Sequence, residues 1–198
     1  MKKILLLTLM CGFSLSLSAQ MTLITPPPDD LGTGQYKTTK TKPEPRSAEK
    51  IKKSFPFDIP LEDTAKLVYN SEDLFKTNGK PLVVMFWLTT CGPCRQELET
   101  LNANFEAWQK QTDFRLLAIS TDWEHNWGRF VERVKTEKWK FEAYHDVNNE
   151  FYNVLPGELN GLPQVFVFDK NGKIVYQHRR FIVGDEIELL AKIKEANL

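Results

Sequence analysis

Six apolar residues in a row, Leu82-Val83-Val84-Met85-Phe86-Trp87, run almost directly into Cys91-Gly92-Pro93-Cys94. That junction constrains the fold more than any other part of the 198-residue chain. The run is apolar on both alternating faces, so it predicts a central strand covered on both sides. Beyond it, Cys94, Leu98, Leu101, Phe105 and Trp108 recur at helical spacing and share one face. The helix they define starts at Cys91 or Pro93 and ends near Gln111. The two cysteines therefore sit where a buried strand hands over to a helix.

The rest of the pattern alternates in the same way. Lys66 to Tyr69 reads as a short strand, and Ser71, followed by Glu72 and Asp73, as the N-cap of a short helix. Phe114 to Ser120 is a second buried strand. Trp127, Phe130, Val131 and Val134 mark one face of a second long helix. Glu142 to His145 predicts a strand and Asn148 to Leu155 a short helix. Val165 to Phe168 is a strand that turns at Asn171-Gly172 into a returning strand, Lys173 to Gln177. Gly184 to Ala196 closes the chain as an amphipathic helix facing inward through Ile187, Leu190, Ala191 and Lys194. Strands joined by helices, then a hairpin and a last helix, predict an α/β sandwich on a mixed sheet.

The first 19 residues read as a cleaved signal peptide, with an uncleaved membrane anchor and a lipoprotein leader acylated at Cys11 as the alternatives. Lys2 and Lys3 precede the apolar stretch Ile4 to Leu17, and Ser16, Ser18 and Ala19 supply a small-residue cleavage site before Gln20. Residues 20–54 are rich in Pro, Thr and Lys, show no helix or strand period, and read as a flexible linker. The folded domain is expected over 55–198. Lys+Arg and Asp+Glu both number 26, so no net field exists to hold nucleic acid.

Export matters for the cysteines. Of three, Cys11 lies in the leader, so the mature chain keeps Cys91 and Cys94. A two-residue spacer closes too short a loop to stabilise a fold much, which disfavours a structural staple. Zinc needs four ligands, and His125, His145 and His178 lack metal-ligand spacing. A redox-active pair remains. Cys91 falls at a helix N-terminus, where unpaired N–H groups and the macrodipole favour the thiolate that attacks disulfides. Cys94, one turn on and on the apolar stripe, is the resolving thiol. Gly92 and Pro93 complete the motif, Pro93 suiting the first turn because it has no N–H to leave unpaired. His145 and His178 are expected in structural or surface roles. Trp123, Trp127 and Trp139 are candidates for a groove, with Trp127 the one that also fits the core stripe.

Phe86-Trp87-x3-Cys91-Gly92-Pro93-Cys94, followed by Gly161-Leu162-Pro163-Gln164-Val165-Phe166-Val167-Phe168-Asp169 and Gly172, resembles the thioredoxin superfamily, and within it the exported TlpA/ResA branch. The resemblance implies a thioredoxin-like three-layer sandwich with a central mixed sheet and, over Glu142 to Gly161, the strand–helix insertion of that branch. It implies a cis peptide bond before Pro163 and a substrate chain pairing beside the Leu162 backbone. Gln164 stands where thioredoxins more usually have Thr; its amide either bonds a substrate backbone or faces solvent. Glu97 matches a glutamate that assists thiol chemistry in ResA-like proteins and is expected to exchange a proton with Cys94, against the alternative of a solvated helix glutamate. Two departures stand out: Met85 occupies the position of a buried Asp, and Thr90 that of the Trp before the first Cys.

The implied activity is reduction of disulfides in exported, periplasmic proteins, including apocytochrome c, with electrons from a membrane thiol donor of the DsbD or CcdA type. No cofactor is implied beyond the Cys91–Cys94 disulfide, and no metal. A thiol oxidant or isomerase, a peroxidase and a copper-binding assembly module are the rival readings.

Overall fold

The computed structural model describes residues 58–154 and 161–198. The leader, the linker and the expected domain start at Phe55 lie outside the described residues, as do Leu155 and the rest of the predicted insertion up to Asn160.

Among the described residues seven strands form one sheet: β1 (Pro60–Glu62), β2 (Val68–Asn70), β3 (Leu82–Trp87), β4 (Arg115–Ser120), β5 (Glu142–Asp146), β6 (Gln164–Phe168) and β7 (Ile174–Arg179). Their spatial order is β2-β1-β5-β4-β3-β6-β7. The central trio β3, β4 and β5 is parallel; β6 returns antiparallel to β3, and β7 to β6. All six residues of β3 are buried, as a strand apolar on both faces requires.

Helices cover both faces. One core joins Val84, Phe86, Leu117, Phe166 and Phe168 of the sheet to Leu74 of α1 (Ser71–Leu74) and Phe151 of α4 (Phe151–Val154). The other joins Val83, Met85, Trp87, Val165 and Val167 to α2 (Gly92–Gln109), α3 (Trp127–Glu137) and α5 (Asp185–Ala196). Two faces with a helix layer on each make the expected three-layer sandwich. Met85 belongs to the second core, packed with Cys94 and Leu98.

Three local expectations change. The first helix is capped by Asn70, whose side chain accepts from Glu72 N at 2.8 Å. Ser71 is instead the first helical residue, and its Oγ accepts from Ile59 N at 3.0 Å, tying the helix to the residue just before β1. The closing helix faces inward through Leu189, Ile193 and Ala196, while Ile187 is 72% exposed. Both stripes fit a helical period, so the register followed from docking rather than from spacing. The returning strand runs to Arg179, two residues past the predicted end, with Gly172 turning the hairpin at φ 81°. That extension brings His178 into the sheet opposite Val165.

Candidate active site

Cys91 is the N-cap of α2, and its Sγ accepts from Cys94 N at 3.2 Å. Cap geometry of this kind aims free backbone N–H groups at the sulfur, which favours negative charge there. Cys91 and Cys94 are disulfide-bonded, with S–S 2.05 Å and Cα atoms 5.2 Å apart. Their exposure differs: Cys91 is half-buried beside exposed Gly92 and Pro93, whereas Cys94 is fully buried. An incoming sulfur could therefore reach Cys91 but would be screened from Cys94. Among the described residues no group of three or more His, Cys, Asp or Glu side chains is placed to hold a metal ion.

The loop before Cys91 is clamped by a residue that sequence reasoning missed. Asp122, 1% exposed and two residues past the end of β4, accepts from Thr89 N and Thr89 Oγ1, both at 2.8 Å, and from Ser120 Oγ at 2.7 Å. Its backbone carbonyl accepts from His145 Nε2 at 2.7 Å. His145 is buried against Trp127 and Phe130, so its role is structural. A buried carboxylate must bond donors, and here two of the three belong to Thr89 in the strand-to-helix turn that presents Cys91, the third to Ser120 of β4. The sequence signal was an Asp just after a buried strand, a position shared with many solvated loop residues.

Glu97 lies one turn beyond Cys94 on the buried face of α2 and is 1% exposed, so it is not a solvated helix glutamate. Its Oε1 is 2.9 Å from His178 Nε2. His178 is itself 3% exposed and stacks edge-on to Tyr176, with ring centroids 5.6 Å apart. The structure thus joins a residue expected at the site to one expected in a structural or surface role. Period-two alternation along β7 would have placed His178 on this face had the strand been drawn two residues longer.

The Leu162–Pro163 peptide bond is cis. Pro163 O accepts from Arg180 N at 2.7 Å, which pins the segment to the end of β7. Leu162 is half-buried and packs against both cores. Contrary to both expectations for Gln164, its side chain is 0% exposed, so it faces neither solvent nor a docked chain in this conformation. By alternation it shares the sheet face of Phe166, away from Cys94, and its amide atoms have no hydrogen-bond partner among the described residues. The three tryptophans do not share a groove. Trp139 packs on Trp87 and Phe141, Trp127 on Phe130 and His145, and Trp123 is 65% exposed. Two open clefts of about 610 and 550 Å³ flank the motif, one lined by Gly92, Pro93 and Arg95, the other by Thr89, Thr90 and Arg129, with Arg133 common to both.

Residues 52–177 match the model of the AhpC/TSA family. The thiol-disulfide oxidoreductase ResA of Geobacillus thermodenitrificans is 31% identical over 97 residues, which cover 48% of this chain and 52% of that protein. The protein of the same name from Bacillus thuringiensis is 27% identical over 113 residues, covering 56% of this chain and 61% of its own. The chain thus spans only about half to three-fifths of the curated relatives it matches. Two solved structures share the fold at a TM-score of 0.62. A thioredoxin-like protein from Porphyromonas gingivalis is 31% identical, covering 70% of this chain and 89% of its own. A structure described as a thiol:disulfide interchange protein DsbE from Chlorobium tepidum is 25% identical, covering 76% and 99%.

Proposed function

Because the chain belongs to the AhpC/TSA family and presents a half-buried Cys91 bonded to a fully buried Cys94, we propose that it is a thiol–disulfide oxidoreductase that reduces disulfides of exported proteins. The difference in exposure between the two sulfurs carries this reading, because it assigns one to attack and the other to resolution. The leader-like first 19 residues support export, and among the described residues no helix is long and apolar enough to cross a membrane.

In the reduced protein the Cys91 thiolate attacks one sulfur of a substrate disulfide. The Cys91–substrate bond forms, the substrate S–S bond breaks, and its second sulfur leaves as thiolate. Cys94 then gives its proton to Glu97 and attacks Cys91 Sγ, closing the Cys91–Cys94 bond and releasing the first substrate sulfur. Two electrons have passed to the substrate. An extended substrate segment pairs beside the Leu162 backbone, next to Pro163. Regeneration takes two electrons from a dithiol, in our reading a membrane donor of the DsbD or CcdA type. Cysteine pairs of apocytochrome c are the substrates this reading favours, as the resemblance to the TlpA/ResA branch implies.

The decisive measurement is the reduction potential of the pair. A value near or below about −220 mV fits a reductase, and one near about −120 mV would make the protein a disulfide donor or isomerase. Cys94→Ser should trap substrates as mixed disulfides on Cys91, so a trap that captures nothing from an exported-protein fraction would count against the reading. A peroxidase is disfavoured by a resolving cysteine only three residues away; peroxide consumption as fast as disulfide exchange would reverse that.

A further inference from the structure

One oxygen of the buried Glu97 carboxylate is left over. Oε1 is 2.9 Å from His178 Nε2, while Oε2 has no hydrogen-bond partner among the described residues, nor has His178 Nδ1. Both side chains are 2% exposed. A buried polar atom without a partner is costly and calls for an explanation. A pair kept only for packing would be replaced by apolar residues of similar volume at little cost.

The surroundings narrow the explanation. Glu97 follows Cys94 by three residues, on the same buried face of α2. His178 stands on β7 opposite Val165 of β6, with the Tyr176 ring edge-on. The α5 side chains in this core, Leu189 and Ile193, are apolar. Asp185 and Glu186, in the first turn of α5, accept from the backbone amides of Ile182 and Gly184. Glu97 therefore has one oxygen engaged by an imidazole and one available on the side of the helix that carries Cys94.

We infer that His178 is the positioning residue of the resolving step: its Nε2–H donates to Glu97 Oε1, holding Oε2 as the atom that takes the Cys94 proton. The inference rests on the oxidoreductase reading above. The proton moves from Cys94 Sγ to Oε2, the sulfur so freed bonds to Cys91 Sγ, and the substrate sulfur leaves with the electron pair of the broken mixed disulfide. His178 neither gains nor loses a proton. A carboxylate without the imidazole is free to rotate, and the proton transfer loses its alignment.

The test uses the reduced full chain and 5,5′-dithiobis(2-nitrobenzoate), which releases one thionitrobenzoate when Cys91 attacks and a second when Cys94 resolves. A positioned proton acceptor contributes roughly 10²–10⁴-fold, so His178→Leu should slow the second release by at least about tenfold. The first release should stay unchanged. His178→Gln, which restores an N–H donor, should recover most of the loss. Equal slowing of both releases, no slowing, or no recovery in H178Q would overturn the inference. If H178L does not fold, the ¹⁵N imidazole shifts of His178 in the reduced wild type decide: a protonated Nε2 with a bare Nδ1 supports the inference, and the opposite tautomer overturns it. A wild-type protein that releases no thionitrobenzoate at all would overturn the oxidoreductase reading itself, a separate result.

Discussion

Removing the Asp122 carboxylate should loosen the turn that presents Cys91. Three donors bond it, Thr89 N, Thr89 Oγ1 and Ser120 Oγ, at 2.7–2.8 Å. A hydrogen bond to a charged group contributes about 1.5–3 kcal/mol, but Thr89 is only half-buried, so water replaces part of what its two donors lose. Asp122→Ala should therefore cost about 3 kcal/mol, most of it from the stranded Ser120 hydroxyl and the lost packing. Asp122→Asn makes a sharper comparison. Its carbonyl oxygen can stay with Thr89 N and Ser120 Oγ while its amide donates to a rotated Thr89 hydroxyl, so all three bonds survive without the charge. The expected loss is about 1 kcal/mol. Urea unfolding followed by far-UV circular dichroism measures both, and an unchanged m-value shows that the loss is one of stability. Disulfide exchange by Cys91 should slow in D122A and be nearly retained in D122N. If D122A lies within about 0.5 kcal/mol of wild type, the surface-like range, the clamp is not an energetic feature and the reasoning fails. If D122N is as damaging as D122A, charge rather than bond geometry holds the turn.

Other expectations follow from burial. Leu98, 1% exposed between α2 and the sheet, should cost about 2–5 kcal/mol when changed to Ala, read by the same urea assay. Burial raises the Asp146 carboxyl from its ordinary value of 3.8 to about 6, against the backbone N–H bonds from Glu150 and Phe151 that favour its charge. Between those values the folded state holds a proton that the unfolded state has lost. Its share of stability, about 3 kcal/mol, is thus present below pH 4 and lost as pH rises through 6. Thermal melts of wild type minus Asp146→Asn across pH 4–7 should show that slope; a flat difference would refute it. Gln164→Leu should unfold at equal or higher urea than wild type, because an amide without partners among the described residues is replaced by an apolar group. A loss above about 2 kcal/mol would mean that the amide is satisfied in solution.

The architecture was legible because its signals are local. The run Leu82–Trp87 is apolar on both faces, and the stripe from Cys94 to Trp108 keeps one helical face, so β3, α2 and the cysteine junction emerged from spacing alone. The edge elements were harder. β1 has three residues, too few to establish a period, and was not anticipated. Ser71 and Asn70 are both good caps, and only the chain path chose Asn70. The α5 stripe is ambiguous because Leu189, Leu190, Ile193 and Ile187 offer two apolar faces; docking buries Leu189 and Ile193 and leaves Ile187 in solvent.

The sequence by itself determined the chemistry available at the site: a paired thiol at a helix N-terminus, with a buried position for the second sulfur. Those are properties of neighbours three residues apart, which helical geometry brings together in any fold that keeps the helix. Only the tertiary structure decided what surrounds the pair. Asp122 reaches Thr89 across 33 residues, and His178 reaches Glu97 across 81. Such contacts depend on strand order and register, which place β7 two strands from β3 and on one face with α2. No periodicity along a single segment encodes a distance between segments, so the contacts of Asp122 and His178 came into view only once the sheet was assembled.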